Sequence, residues 1–533
     1  MGTSVICICL LCILKIVSTL SISEDSFLEN PIIEDDNICV SEGCVRSAAS
    51  ILANVDKSIN PCDDFYKFAC GKFTTDAKVD DDKLAQTTYS AVNNVVIDKV
   101  RRVLEQPIQN DEPRHSKLAK QMFACCIDER KLEEHGISSL QQLLFKVGGW
   151  PVIMGSNWNE LDFQWTDTIY KFRDLGMSVD YLIDISIKVN PKDTTSHIIE
   201  LDRATLNMNS LYLKRGIKDK MVNSYYRYMV DIAVELGAEK QMAKAELRRV
   251  LDFEVKLARI SLFQSLNEIK DFMISESNIT TLTNSYPKVP WKEYINRLIC
   301  RADNICVHDN QKIMVIMPSY LTGLEVLLKF TPKRVLANYL IWRAVESSVA
   351  FSNRRLRDRQ LLLQEDLFGR IARGPRWVEC VNVVSSVVDL AVSSMYVNNF
   401  FNLKTKKSSS KMVENLREEF YRTLTNAEWM DPITKKNALE KAEAIEEFVA
   451  YPDELLDYSI VDKYYSKVQL EDDSDYFRSV LQLIKLRCDK SFEKLHTPVN
   501  KSDWITHGQA ITVNAFYNLV ENSIQLPAGE LFL

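Results

Sequence analysis

The 533-residue sequence is short of glycine and proline, with 15 of each, too few for a collagen-like, low-complexity or many-turned all-β protein. Positive charge is not in excess either: 66 Lys and Arg against 73 Asp and Glu leave a net charge of −7. A nucleic-acid binder would need basic side chains clustered on one face, so short basic runs such as Lys404 to Lys407 read as solvated loops. Past the N-terminal segment, no apolar run approaches the roughly 20 residues that span a bilayer. There is no Walker phosphate loop and no dinucleotide fingerprint, and Gly176-Met-Ser-Val-Asp180 fails the nucleophile elbow at its last position.

What is present is globular. Hydrophobic residues make up 46%, aromatics 9% and charged residues 26% of the chain. Its length exceeds the roughly 250–300 residues at which one hydrophobic core stops growing, so two lobes of mainly helical structure are expected. Val5 to Leu14 is an unbroken apolar run followed by Lys15 and small residues through Ser23. This reads as a signal peptide over residues 1–23, with an uncleaved anchor reaching Ile22 as the alternative. An acidic leader without periodicity follows over 24–38.

Export makes the cysteines readable as disulfides. Of 13, three fall in the signal segment. Cys300 and Cys306, with His308 close by, could belong to a metal knuckle, but no second ligand pair lies near and a local disulfide loop is the preferred reading. Of the adjacent Cys125 and Cys126, one reads as structural and the other as spare. The sequons at Asn278 and Asn500 fit a secreted glycoprotein.

Helical periodicity dominates from Cys39 onward. Asp431 and Pro432 are an N-cap and a first helical residue, and Ala438, Ala442, Ile445 and Val449 follow on one helical face until Tyr451-Pro452-Asp453. The segment before it places Val413, Leu416, Phe420 and Leu424 on one stripe, and the two helices read as a hairpin. Val335 to Ala344 is apolar nearly all round, so it reads as a buried helix. Val381 to Phe401 reads as a second long helix. Near the end, residues 511–517 alternate with period two and lead through a polar stretch to Ile524-Gln525-Leu526, a β-hairpin pattern with no third strand in view.

The run from Asn60 through Cys62, Phe65 and Cys70 to Gly71 resembles the opening signature of the neprilysin and endothelin-converting-enzyme family of zinc metallopeptidases. Further segments agree in order: Gly148-Gly-Trp-Pro151, Phe253-Glu-Val-Lys-Leu-Ala258, Asn338-Tyr-Leu-Ile-Trp-Arg343, Arg376-Trp-Val-Glu-Cys380, and Trp429-Met-Asp-Pro-Ile-Thr-Lys435 continuing to Tyr451-Pro-Asp453. Val513-Asn-Ala-Phe-Tyr517 with Pro527-Ala-Gly529 resembles the family's substrate-binding strand and the turn after it.

The resemblance implies a mainly α fold: a large two-lobed helical N-terminal region over 39–508, and the start of a catalytic domain over 509–533 containing the short β-hairpin. It implies zinc as cofactor of the complete enzyme and short peptides as substrates. It also implies that Asn514 grips a bound peptide's backbone, that the Ala515 main chain pairs with the peptide as an added strand, and that Phe516 lines a side-chain pocket. The disulfides it implies are Cys39 with Cys44 and Cys126 with Cys380, while Cys62 and Cys70 pair with cysteines nearer the family's C-terminus. The family's zinc chemistry needs His-Glu-x-x-His, two imidazoles one helical turn apart with a Glu as general base. None of the six histidines here is followed by Glu, and no two are four apart. No zinc is therefore expected on these 533 residues. Nor is there an arginine between Thr87 and Val96, where the family's carboxylate-clamping members carry one. The competing expectation is a non-catalytic secreted protein that binds peptides or a partner.

Overall fold

The computed structural model describes residues 38–262, 276–300, 307–470 and 475–532. The signal segment, the leader through residue 37 and Cys306 lie outside the described residues. The chain divides into two compact units, residues 1–80 and 81–533.

In the first unit the helix Glu42–Asn54 starts at Ser41, whose hydroxyl caps Cys44 N–H, and Cys39 and Cys44 are disulfide-linked. The Asn60-to-Gly71 signature is a turn feeding a second helix. Asn60 Oδ1 accepts from Cys62 N–H at 2.9 Å and Asp64 Oδ1 accepts from Lys67 N–H at 3.0 Å, which caps the helix Phe65–Asp76. Cys62 is exposed.

The second unit is mainly helical and has two hydrophobic cores. The first surrounds the helix Lys333–Ser348, which is buried on all sides as its apolar composition implies. Motifs far apart in sequence meet there. The Phe253 and Tyr339 rings lie 4.8 Å apart and Trp150 stacks on Trp342. Asn338 Oδ1 accepts from Val152 N–H at 3.0 Å while its amide donates to Glu246 at 2.6 Å. The indole N–H of Trp342 donates to the Tyr225 hydroxyl at 2.8 Å.

One wall of this core is a four-stranded sheet that the helix-dominated reading did not anticipate. The strands β1 (Ile183–Asn190), β2 (Asp193–Arg203), β3 (Glu276–Asn278) and β4 (Lys312–Val315) lie in the order β1-β2-β4-β3. β1 and β2 form an antiparallel hairpin, and β4 pairs parallel to β2.

The second core gathers Val96, Met122, Val384, Leu390, Tyr396 and Val461 and is tied by the Cys126–Cys380 disulfide. Residues 381–401 do not form one helix. Helices Arg376–Val387 and Asp389–Phe400 meet at 108°, with Val388 leaving helical geometry at φ −126°, ψ 45°. A run of β-branched valines, costly for χ1 freedom inside a helix, precedes the break. No single described helix is long and apolar enough to cross a membrane.

The helix Tyr476–Glu493 belongs to both cores. Phe477, Leu481 and Phe492 enter the first, and Tyr476, Val480, Leu483 and Leu486 the second. Gly176, the left-handed residue that ends the helix Trp165–Leu175, packs so tightly on the Leu481 carbonyl that a Cβ there would collide with it.

Three further expectations need correction. Lys404 to Lys407 is not a loop but the first turns of the helix Leu403–Asn426, capped by Asn402. On that helix Val413 and Leu424 are buried, whereas Leu416 and Phe420 stand in solvent. Its partner, capped by Asp431 as the sequence indicates, ends at Glu443. Ile445 and Val449 are therefore not on its face. Ile445 lies in the connection and Val449 in a strand, β5 (Glu446–Ala450).

Candidate functional site

β5 completes a sheet with the C-terminal hairpin. β6 (Phe516–Asn518) and β7 (Ser523–Pro527) pair antiparallel, β5 pairs parallel with β7, and the order is β5-β7-β6. The hairpin is present, but with a third strand and with a first strand shorter than the alternation suggested. Residues 511–515 lie outside β6, and the chain just ahead of them is held by neighbouring structure. Gly529 N–H donates to Ala510 O at 2.8 Å and Ala510 N–H to Ser393 Oγ at 3.1 Å. A Cβ on Gly529 would stand 2.6 Å from the Ile511 carbonyl. Gly529 thus lies tight against the chain ahead of the strand.

The turn is built from asparagines. Asn518 Oδ1 accepts from Val520 and Glu521 N–H at 3.0 and 3.2 Å. Asn522 adopts φ 55°, a left-handed conformation that asparagine tolerates, and its amide donates to Lys441 O at 3.0 Å. Tyr517 donates its hydroxyl proton to Asn522 Oδ1 at 2.7 Å.

Asn514, Ala515 and Phe516 are all exposed and lead into β6, the edge strand of the sheet. Asn514 Oδ1 is engaged locally, accepting from Ala515 N–H at 2.9 Å. Asn278 caps the helix Ile279–Ser285 through its side-chain oxygen, and Asn500 accepts from Ser502 N–H. Cys300 donates to Asn296 Oδ1 at 3.0 Å, and its suggested pairing with Cys306 falls outside the described residues.

The described residues do not fit a zinc ion: no three His, Cys, Asp or Glu among them converge at ligand spacing. Several histidines have other work. His115 is buried with Nδ1 on Asp462 Oδ1 at 2.7 Å, and burial holds its pKa below the usual imidazole range. His197 Nδ1 meets Thr497 O at 2.9 Å, and His507 Nε2 meets Lys501 O at 2.9 Å. The last residue proves more interesting than its sequence context suggested. Its ring stacks on Phe448 of β5 with centroids 3.6 Å apart.

Comparison with known proteins places this architecture. The model of Peptidase family M13 matches residues 61–452, most of the chain, and the chain belongs to that family, the zinc metallopeptidases that include neprilysin. It is 35% identical over 510 residues to Neprilysin-2 of Drosophila melanogaster, covering 93% of this chain and 66% of that protein. It is 28% identical over 508 residues to an endothelin-converting enzyme homolog of Locusta migratoria, covering 93% and 68%. The chain spans about two thirds of the length of these curated relatives. Among solved structures, the zinc metalloprotease Zmp1 of Mycobacterium tuberculosis, in complex with an inhibitor, superposes with a TM-score of 0.75 at 20% identity, covering 90% of this chain and 69% of that one. PepO of Lactobacillus rhamnosis gives 0.74 at 16% identity, covering 89% and 71%. At such identities these two structures show the fold.

Proposed function

We infer that these residues are the peptide-binding, zinc-free portion of a secreted neprilysin-like zinc metalloendopeptidase acting on short peptides. In this reading the zinc ligands and the general base come from sequence outside residues 1–533. Residues 1–23 direct export, 24–38 are a leader, 39–508 form the helical N-terminal region, and 509–533 open the catalytic domain. Asn514 and Ala515 present the edge on which a peptide adds as a strand, Phe516 lines a side-chain pocket, and Asn278 and Asn500 carry glycans.

The observation that carries the reading is family membership combined with an exposed Asn514–Phe516 segment entering an edge strand. The apolar stripe left in solvent at Leu416 and Phe420 fits a face that further chain covers in the complete enzyme.

The test is direct. The purified 533-residue chain should hold no stoichiometric zinc by elemental analysis and cleave no blocked peptide, and the transcript should continue in frame into a His-Glu-x-x-His codon run. Tightly bound zinc on the 533 residues would sink the assignment of the ligands. A genuine stop after codon 533, confirmed by intact mass of the secreted protein, would leave the non-catalytic peptide binder as the function.

A further inference from the structure

β1 is an outer strand of the four-stranded sheet. On its inner neighbour β2, Leu201 O accepts from Ile316 N–H at 2.9 Å, so the Leu201 main chain faces β4. Leu201 stands opposite Ile185. In an antiparallel ladder, residues directly opposite either exchange both hydrogen bonds or turn both main chains away from each other. Ile185 N–H and C=O therefore point off the free edge of β1. The register is regular from Ile183 to Val189 and shifts only between Val189 and Asn190, so the irregularity that blunts many edges lies beyond this stretch.

A cavity of about 510 Å³, open to solvent, runs along that edge. Asp184, Ile185 and Ser186 line it, and no residue of β2 is in its lining. Ile185 sends its side chain into the first core, whereas Asp184 and Ser186 are half-buried on the opposite face. A space that touches all three consecutive residues meets the strand from its side. The facing wall is Ile484, Cys488 and Ser491 of the helix Tyr476–Glu493.

The lining is acidic. Asp180 joins Asp184 in it, and among the described residues neither carboxylate is in an ion pair. Arg487, the cation in the lining, donates to Ser386 O at 2.7 Å. Burial, then repulsion from Asp180 and Asp202, pushes the Asp184 carboxyl up to about 6, against the pull of Lys188. A further positive charge beside it is favoured.

We propose that this edge takes one more strand, an extended peptide segment that hydrogen-bonds the Ile185 main chain and sets a Lys or Arg side chain on Asp184 and Asp180. The size agrees: from its rise and spacings a strand residue fills roughly 160 Å³, so about three fit. A residue opposite Asp184 on the added strand shares its face and lies within side-chain reach. This site is on a different sheet from Asn514–Phe516, and the inference does not rest on the reading above.

The probe is an end-blocked pentapeptide, Thr-Val-Arg-Val-Thr, titrated by calorimetry into the full chain beside its counterpart with citrulline for arginine, which keeps the shape and drops the charge. The arginine peptide should bind saturably and about tenfold more tightly, the worth of a hydrogen bond to a charged group. Asp184→Asn should erase the difference. Copies N-methylated at one backbone position each should lose binding at alternate positions, because successive N–H groups of a strand point to opposite sides. Ser491→Trp, at an exposed helix position that faces β1 across the cavity, should abolish binding; it decides the matter if Asp184→Asn does not fold by circular dichroism. No saturable binding, equal affinity for the two peptides, N-methylation felt equally at every position, or binding that survives Ser491→Trp would overturn the proposal. Binding removed by Asn514→Ala would place the peptide on β6 and overturn it too.

Discussion

The Glu254 carboxylate lies 4.0 Å from the Arg343 guanidinium, both buried in the first core, and accepts the Tyr225 hydroxyl proton at 3.1 Å. Two segments that resemble family motifs in the sequence thus meet as a buried ionic contact. Burial dominates the carboxyl's titration: it pushes Glu254 up to about 7, against the opposing pull of Arg343 and Tyr225.

A pH dependence follows. The folded carboxyl holds its proton more tightly than the unfolded one, so between about 4.5 and about 7 the native state binds more protons. This contribution is complete at low pH and is lost as pH rises towards 7. The stability difference between wild type and Glu254→Gln should therefore shift by roughly 2–3 kcal/mol in favour of the variant between pH 5 and pH 8. Urea titrations of both proteins across that range check it, and parallel pH profiles would refute it.

Removing the cation alone should be severe. Arg343 also donates to Thr205 O at 2.7 Å, and Arg343→Met would strand Glu254 without its counter-charge, at a cost of roughly 3–5 kcal/mol. The double variant Arg343→Met with Glu254→Leu should recover part of that loss, and denaturant midpoints would show whether it does.

Asn338 joins the Gly148–Pro151 turn to the central helix through Val152 N–H and Glu246. Asn338→Ala leaves a buried N–H unsatisfied and should cost about 1–3 kcal/mol. Asn338→Asp should not rescue it, because the new carboxylate would face Glu246. Thermal unfolding of the three proteins is the measurement.

The two disulfides should differ in weight. Cys126–Cys380 closes a separation of 254 residues and Cys39–Cys44 one of 5. Cross-linking a longer loop removes more freedom from the unfolded chain. Cys380→Ser should lower stability by roughly 2–5 kcal/mol and Cys44→Ser by much less, measured as the loss in melting temperature of each variant.

Local chemistry was legible wherever one residue decides the outcome. Asp431 with Pro432 starts a helix, and the apolar run around Trp342 is buried on every side. Partnership was not. Ile445 and Val449 continue a helical spacing, yet pairing with β7 draws residues 446–450 into a strand, because a sheet neighbour outweighs weak local preference. The alternating Ile183, Ile185, Ile187 and Val189 of β1 did carry a period-two signal, overlooked amid helical segments on both sides. His507 could not have been singled out at all. Its setting rests on Lys501 and on the Phe448 ring, neither of which its own neighbours announce.

The helix Tyr476–Glu493 gives one face to each core, so neither core can open without stripping side chains from the other. The two cores should then behave as one cooperative block, with amide protons in both exchanging through the same rare global event rather than through separate local ones. A substitution such as Leu483→Ala, made entirely within the second core, would lower protection against exchange around Trp342 in the first.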